Sequence, residues 1–190
     1  MKSVKIISLE TVFSFTIIIL LAIACSESGN SIKTKSIVDK PKIDIQTAIL
    51  SDQPDIVKQH IAAGTDINKK EQMSGSTPLI SAATFGKTAI AKALIDANAD
   101  LSIKNNEGAT ALHTAAFFCR IEIVQLLIDA KADKTVKNNF GATPRESVMG
   151  PFADMKPIYE MLQQQLGPLG LQLDLKQIEK TRPVIAMMLQ

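Results

Sequence analysis

Four side chains in this sequence could act near neutral pH as a nucleophile, a proton shuttle or a metal ligand: His60, His113, Cys25 and Cys119. Their spacing argues against joint action. Neither histidine lies in a His-Glu-x-x-His pattern, the cysteines form no Cys-x-x-Cys pair, and there is no Gly-x-Ser-x-Gly elbow or phosphate-cradling Gly-rich loop. No nucleophile has a base placed to activate it, so a non-enzyme without metal or cofactor is expected. His60 falls where later parts of the chain carry Leu94 and Leu127, which marks a packed position. Cys119 stands as far after Gly86 as Gly108 does after Gly75, at a helix end that favours a left-handed backbone. Two roles fit it: a small thiol packed under Phe117 or Phe118, or a redox-sensitive group in an oxidising compartment.

The elements that must carry these residues are written as a repeat. Gly75-Ser76-Thr77-Pro78-Leu79 returns as Gly108-Ala109-Thr110-Ala111-Leu112-His113 and begins again as Gly141-Ala142-Thr143-Pro144, the step from Gly75 to Gly108 being equal to the step from Gly108 to Gly141. A second phrase keeps the same period: Leu94-Ile95-Asp96-Ala97-Asn98-Ala99-Asp100 becomes Leu127-Ile128-Asp129-Ala130-Lys131-Ala132-Asp133. Thr77, Thr110 and Thr143 are helix caps, with Pro78 and Pro144 at the first helical position, where a missing N–H is harmless. Ala82-Ala83 and Ala115-Ala116 let neighbouring helices approach closely. Ile123, Val124, Leu127 and Ile128 share one face of a second helix. Gly86 ends the first helix of its unit, and Asn98 can end the second in the left-handed region.

These two phrases on one period resemble the ankyrin repeat, a turn followed by two antiparallel helices. The resemblance implies an all-α solenoid of helix-turn-helix units with short turns between repeats. It also implies that His113 ties the turn to the helix start by hydrogen bonds. Ile61-Ala62-Ala63-Gly64-Thr65-Asp66 copies the end of the later units, but Asp66 stands one place further from Asp100 than Asp100 does from Asp133, so one extra residue is expected in the turn between Asn68 and Gly75. The first unit lacks the Thr-Pro-Leu-His phrase, which suits an N-terminal cap. Past Pro144, Arg145 to Val148 is expected to form the first helix of a fourth unit and Pro157 to Leu166 its second. Gly167-Pro168-Leu169-Gly170 stops that helix, Asp174 is a possible cap, and Pro183 opens a last short helix.

The N-terminus reads as a targeting segment. Lys2 and Lys5 precede an apolar run from Val12 to Ala24, too short for a spanning helix, which needs about 20 residues. Ala22-Ile23-Ala24-Cys25 resembles a bacterial lipobox, departing from it in having Ala22 where leucine is usual. Lipidation of Cys25 is implied, and Ser26 after it favours the outer membrane. The same letters fit an ordinary Ala-x-Ala signal-peptidase site, which would leave a soluble periplasmic protein. The domain plan is a signal peptide over residues 1–24, a Ser/Lys/Asn-rich tether over 25–42, a stack of about four units over 43–170 with atypical ends, and a helical C-terminal cap over 171–190.

Composition narrows the partner. With 21 basic and 19 acidic residues, no Trp and one Tyr, the chain has neither the charge for phosphate neutralisation nor the rings for base stacking, so no nucleic acid is expected. A solenoid instead offers an extended surface to another protein. Lys70, Lys104 and Lys137 recur at one turn position as a basic stripe, or as solvated turn tips. Phe85 and Phe118, with Phe117, form a second column able to anchor a partner or to cover the joint between units. The expected function is a protein-binding module acting as a monomer, held to a membrane by its lipid, with Phe85, Lys104, Phe117, Phe118 and Lys137 at the contact. The alternative is an accessory factor for a periplasmic enzyme, with Cys119 as its sensor.

Overall fold

The computed structural model describes residues 39–190; residues 1–38, and with them the signal-peptide and lipidation readings and Cys25, lie outside the described residues. The described residues are all-α, without a strand. Their helices are α1 (Ile45–Leu50), α2 (Pro54–Ala62), α3 (Pro78–Phe85), α4 (Thr88–Asp96), α5 (Ala111–Phe117), α6 (Ile121–Asp129), α7 (Phe152–Leu166) and α8 (Leu175–Met188), with single 3-10 turns at Glu146–Val148 and Gly167–Leu169. Helices α1, α3 and α5 pack side by side in one row that the Glu146–Val148 turn extends, and α2, α4 and α6 form a second row that α8 extends.

Each hairpin is fixed by local chemistry at its ends. Thr77 caps α3 by accepting from the Ile80 N–H at 3.3 Å, and Asp44 caps α1 by accepting from the Thr47 N–H at 3.0 Å. Both helices of every full unit end in a six-to-one bond. At the first-row ends Gln53, Lys87 and Arg120 donate to Ala48, Ala82 and Ala115; at the second-row ends Thr65, Ala99 and Ala132 donate to His60, Leu94 and Leu127, all at 2.8–3.0 Å. That bond needs a left-handed residue just before the donor. Asp52, Gly86 and Cys119 supply it in the first row, with φ of 54°, 68° and 54°; Gly64, Asn98 and Lys131 supply it in the second, with φ of 72°, 60° and 64°.

The core lies between the rows. Leu79, Ile80, Ile90, Leu94, Leu112, Ile123 and Leu127 are sealed from solvent, and the Ala82-Ala83 and Ala115-Ala116 pairs sit fully buried where first-row helices meet. Each large aliphatic side chain buried in this way contributes about 1.5–3 kcal/mol.

The C-terminal third departs from the expected plan. Arg145 to Val148 gives one 3-10 turn instead of a helix, although Thr143 and Glu146 still make the reciprocal cap: the Glu146 carboxylate accepts from the Thr143 N–H at 2.8 Å and Thr143 Oγ1 accepts from the Glu146 N–H at 3.3 Å. The second helix of the fourth unit is not Pro157 to Leu166. The helix containing that stretch starts earlier, at Phe152, and leaves Ile158 and Met161 exposed, while α8 takes the place beside α6. The reason is apolar periodicity, since Ile178, Ile185 and Leu189 keep one buried face at seven and four residues and carry it through Pro183. Pro183 therefore lies inside one helix of 14 residues and opens none. Helix α7 is an insertion held across the end of α5.

Candidate partner surface at the turn tips

Between units the chain runs out to a turn and back. In the two later turns an asparagine folds the tip around itself: Asn105 Oδ1 accepts from the N–H groups of Glu107 and Ala109 at 3.1 and 2.8 Å, and Asn138 Oδ1 accepts from Phe140 and Ala142, both at 3.0 Å. In the earlier turn Glu71 takes that column. Its carboxylate accepts from the N–H groups of Met73 and Ser74 and from the Ser74 hydroxyl, and this bracket closes a loop with one extra residue between Glu71 and Ser76. Burial pushes the Glu71 carboxyl up, but the Ser74 hydroxyl and the surrounding N–H groups outweigh it and hold the group below its ordinary range.

The tips are joined edge to edge. The Asn106 N–H donates to Ser74 O at 2.9 Å and its side-chain amide to Met73 O at 2.9 Å; one unit later the Asn139 N–H donates to Glu107 O at 3.0 Å and its amide to Asn106 O at 2.9 Å. Lys104 Nζ reaches forward to Lys137 O at 2.9 Å. Gly75 and Gly108 make room for these amides, because a Cβ at either would run into the Oδ1 of Asn106 or Asn139. Reading the sequence missed this ladder, although its signal was present: Asn105-Asn106 returns as Asn138-Asn139 on the same period as everything else in the unit.

The histidines are structural. His113 Nδ1 accepts from the Thr110 N–H at 3.2 Å, which leaves the proton on Nε2, donating to Ala142 O at 3.1 Å across to the next unit. Burial lowers its pKa. His60, sealed in the leucine column, donates from Nε2 to Ile43 O at 2.8 Å and shares Nδ1 with the Thr65 hydroxyl at 3.0 Å.

Among the residues expected at a contact, Lys104 and Lys137 are exposed at the tips and Phe85 is half-buried at the end of α3. Phe117 and Phe118 sit at the end of α5 beneath α7. Phe118 is only 7% exposed and meets Phe117 edge-on with centroids 5.1 Å apart; the Phe117 ring lies 4.7 Å from that of Tyr159, on which Phe152 also stacks at 6.1 Å. Tyr159 is sealed. Its hydroxyl donates to Phe117 O at 2.7 Å and accepts from Arg182 Nη1 at 3.1 Å, and the buried Arg182 guanidinium also donates to Gly150 O at 2.8 Å. Burial pushes the Tyr159 phenol up to about 12. The structure thus separates the expected residues into tip lysines that face solvent and rings that clamp α7 and α8 onto the stack.

Cys119 lines an open cleft of about 560 Å³ with Phe118, Arg120, Gln163, Gln172 and Ile178. Burial pushes its thiol up to about 11, against the pull of Arg182 and Arg120, so it is a thiol and not a thiolate near neutral pH.

Stacked hairpins with an open row of tips define a repeat scaffold. Residues 45–138 match a model of ankyrin repeats in three copies, and the fold is an ankyrin-repeat stack. Among solved structures the chain is similar to the ankyrin repeat domain of Bcl-3, a unique member of the IkappaB protein family, at 25% identity and a TM-score of 0.53 over 54% of this chain. The match spans 45% of that chain. No curated protein matches. A stack of this kind is a protein–protein interaction module, because each unit adds surface without enclosing a reaction chamber.

Proposed function

We propose that the stack is an exported, non-catalytic bacterial protein-binding module. In this reading residues 1–24 are a signal peptide, Cys25 carries the lipid, residues 25–42 tether residues 43–170 to the outer membrane facing the periplasm, and residues 171–190 close the C-terminal end. The partner is bound by one protomer across the first-row helices and tips, with Phe85, Lys104 and Lys137 in contact and the half-buried Phe117 beside them. The observation that carries the binding half is the unbroken row of exposed tips, rigidly bonded to one another and so ordered before any partner arrives. The sequence pattern around Cys25 carries the other half. The accessory-enzyme reading with a Cys119 sensor gains no support, since a half-buried thiol whose pKa burial pushes up to about 11 holds little of the thiolate that oxidants attack near neutral pH.

Two linked measurements test the proposal. Cys25→Ser is expected to move the protein from the membrane fraction of cells to the soluble fraction. Phe85→Ala with Lys104→Glu is expected to lose the species cross-linked to the native chain in intact cells while the melting temperature stays within a few degrees. An unchanged fractionation overturns the lipid anchor, and unchanged cross-linking overturns the contact surface.

A further inference from the structure

Each tip in the ladder presents the same set of groups to the unit that follows, and the last tip presents them to no described residue. The carbonyl that takes the incoming N–H is Ser74 O, then Glu107 O, and by register Phe140 O. The carbonyl that takes the incoming side-chain amide is Met73 O, then Asn106 O, and by register Asn139 O. Among the described residues nothing donates to Phe140 O or Asn139 O. The seat filled by Asn106 against Gly75 and by Asn139 against Gly108 stands open at Gly141, where an added Cβ would meet nothing within 4 Å. Lys137, the counterpart of Lys104, has an exposed side chain with no described acceptor, and the Phe140 ring is 80% exposed beside this seat.

We infer that the edge formed by Lys137, Asn139, Phe140 and Gly141 is a docking site for an extended segment of another protein carrying an asparagine, which adds to the ladder as its next rung. This rests on the protein-binding reading and names one mode of it. The pattern required is the one the chain uses on itself in Lys137-Asn138-Asn139. The asparagine's N–H and amide donate to Phe140 O and Asn139 O, its Oδ1 lies over Gly141, and the carbonyl two residues earlier accepts from Lys137 Nζ. An open row of backbone acceptors is a template for strand-like addition, and the exposed phenylalanine adds an apolar wall. A second copy of this chain is a poor occupant. Glu71 already holds the N–H groups of its first tip, and its Asn106 and Asn139 are used within its own ladder.

The probe is a fluorescein-labelled peptide of sequence Thr-Val-Lys-Asn-Asn-Phe-Gly, titrated with the full chain and read by fluorescence anisotropy. Saturable binding is expected, weakened about tenfold or more when leucine replaces the peptide's second asparagine, and equally by Gly141→Asn or Lys137→Met in the protein. Gly141→Asn fills the seat with a residue that tolerates φ of +75°, and an unchanged circular dichroism melt shows that the variant is folded. Equal affinity for the leucine peptide, equal affinity of the Gly141→Asn protein, or no binding at about a millimolar each overturns the site. So does a chain dimer, seen by ultracentrifugation, that Gly141→Asn abolishes. If the peptide fails while Phe85→Ala with Lys104→Glu still loses the cross-linked species, the edge is wrong and the protein-binding reading stands.

Discussion

Six left-handed residues close the helix ends of the first three units, and only two of them, Gly86 and Gly64, are glycine. Gly86 and Asn98 were legible in the sequence because both residue types favour that region. Asp52, Cys119 and Lys131 were legible only by register, as occupants of the same columns. Lys131 is exposed and has no described side-chain partner, so its φ of 64° is held by the bond from the Ala132 N–H to Leu127 O. Lys131→Gly is expected to raise the unfolding free energy by about 0.5–1 kcal/mol, the relief of a left-handed side chain less the added freedom of the unfolded glycine; urea titration checks it. Cys119 gives a pH prediction. Burial raises its thiol to about 11, so the folded state favours the neutral form; its stabilising contribution is complete below the ordinary thiol pKa and is lost as pH rises through about 11. Alkylation of Cys119 in the folded protein is expected to accelerate with a midpoint near pH 11, and a midpoint near 8.5 would place the thiol in water. His60 shows the limit of reading by column: its place among leucines was plain, but its bond to Ile43 O, the residue before the Asp44 cap, was not, because the leucines of that column have no group that could make it.

Among the elements, those written twice were legible in full; of those written once, the helical stretch 157–166 and the Asp174 cap were legible, and the neighbours they pack on were not. Helices α3 to α6 follow from phrases that repeat, each with its cap, its alanine pair or its apolar stripe. Helix α7 has an apolar stripe too, in Ile158, Met161, Leu162 and Leu166, and that stripe misled, because periodicity shows that a face is apolar and not which neighbour covers it. One side chain of α7 ties it to two other helices. Tyr159 reaches from α7 to the last carbonyl of α5 and to Arg182 of α8, joining three elements at a single hydroxyl. Removing that hydroxyl leaves a buried guanidinium short of an acceptor. Tyr159→Phe is therefore expected to cost about 1–3 kcal/mol in urea unfolding, with hydrogen exchange quickened over residues 152–189 before the earlier hairpins. Uniform quickening throughout would mean that the clamp holds nothing local. Reading the sequence could not find this contact, since Tyr159 and Arg182 belong to no repeated phrase.

Across the described residues, the two-row architecture was legible as a whole and the ladder of tips was not, for a physical reason. Packing between rows depends on side-chain size and period, which a single chain displays openly. The ladder depends on backbone carbonyls, which every residue owns, so only the recurring Asn-Asn pairs betray it. The candidate surface divides the same way: lysines at the tips stayed where their column placed them, and Phe85 stayed half-buried at the end of α3, while Phe117 and Phe118 were drawn under the unrepeated α7. The direction of the ladder has a genetic corollary. Every rung hands forward the same two acceptors that it received from behind, so a tandem copy of residues 108–140 slipped in beside the original would find matching partners on both flanks. A gene built on this plan can lengthen by whole units without redesigning a single junction, and between the first two described units the odd residue is absorbed in the loop that Glu71 brackets.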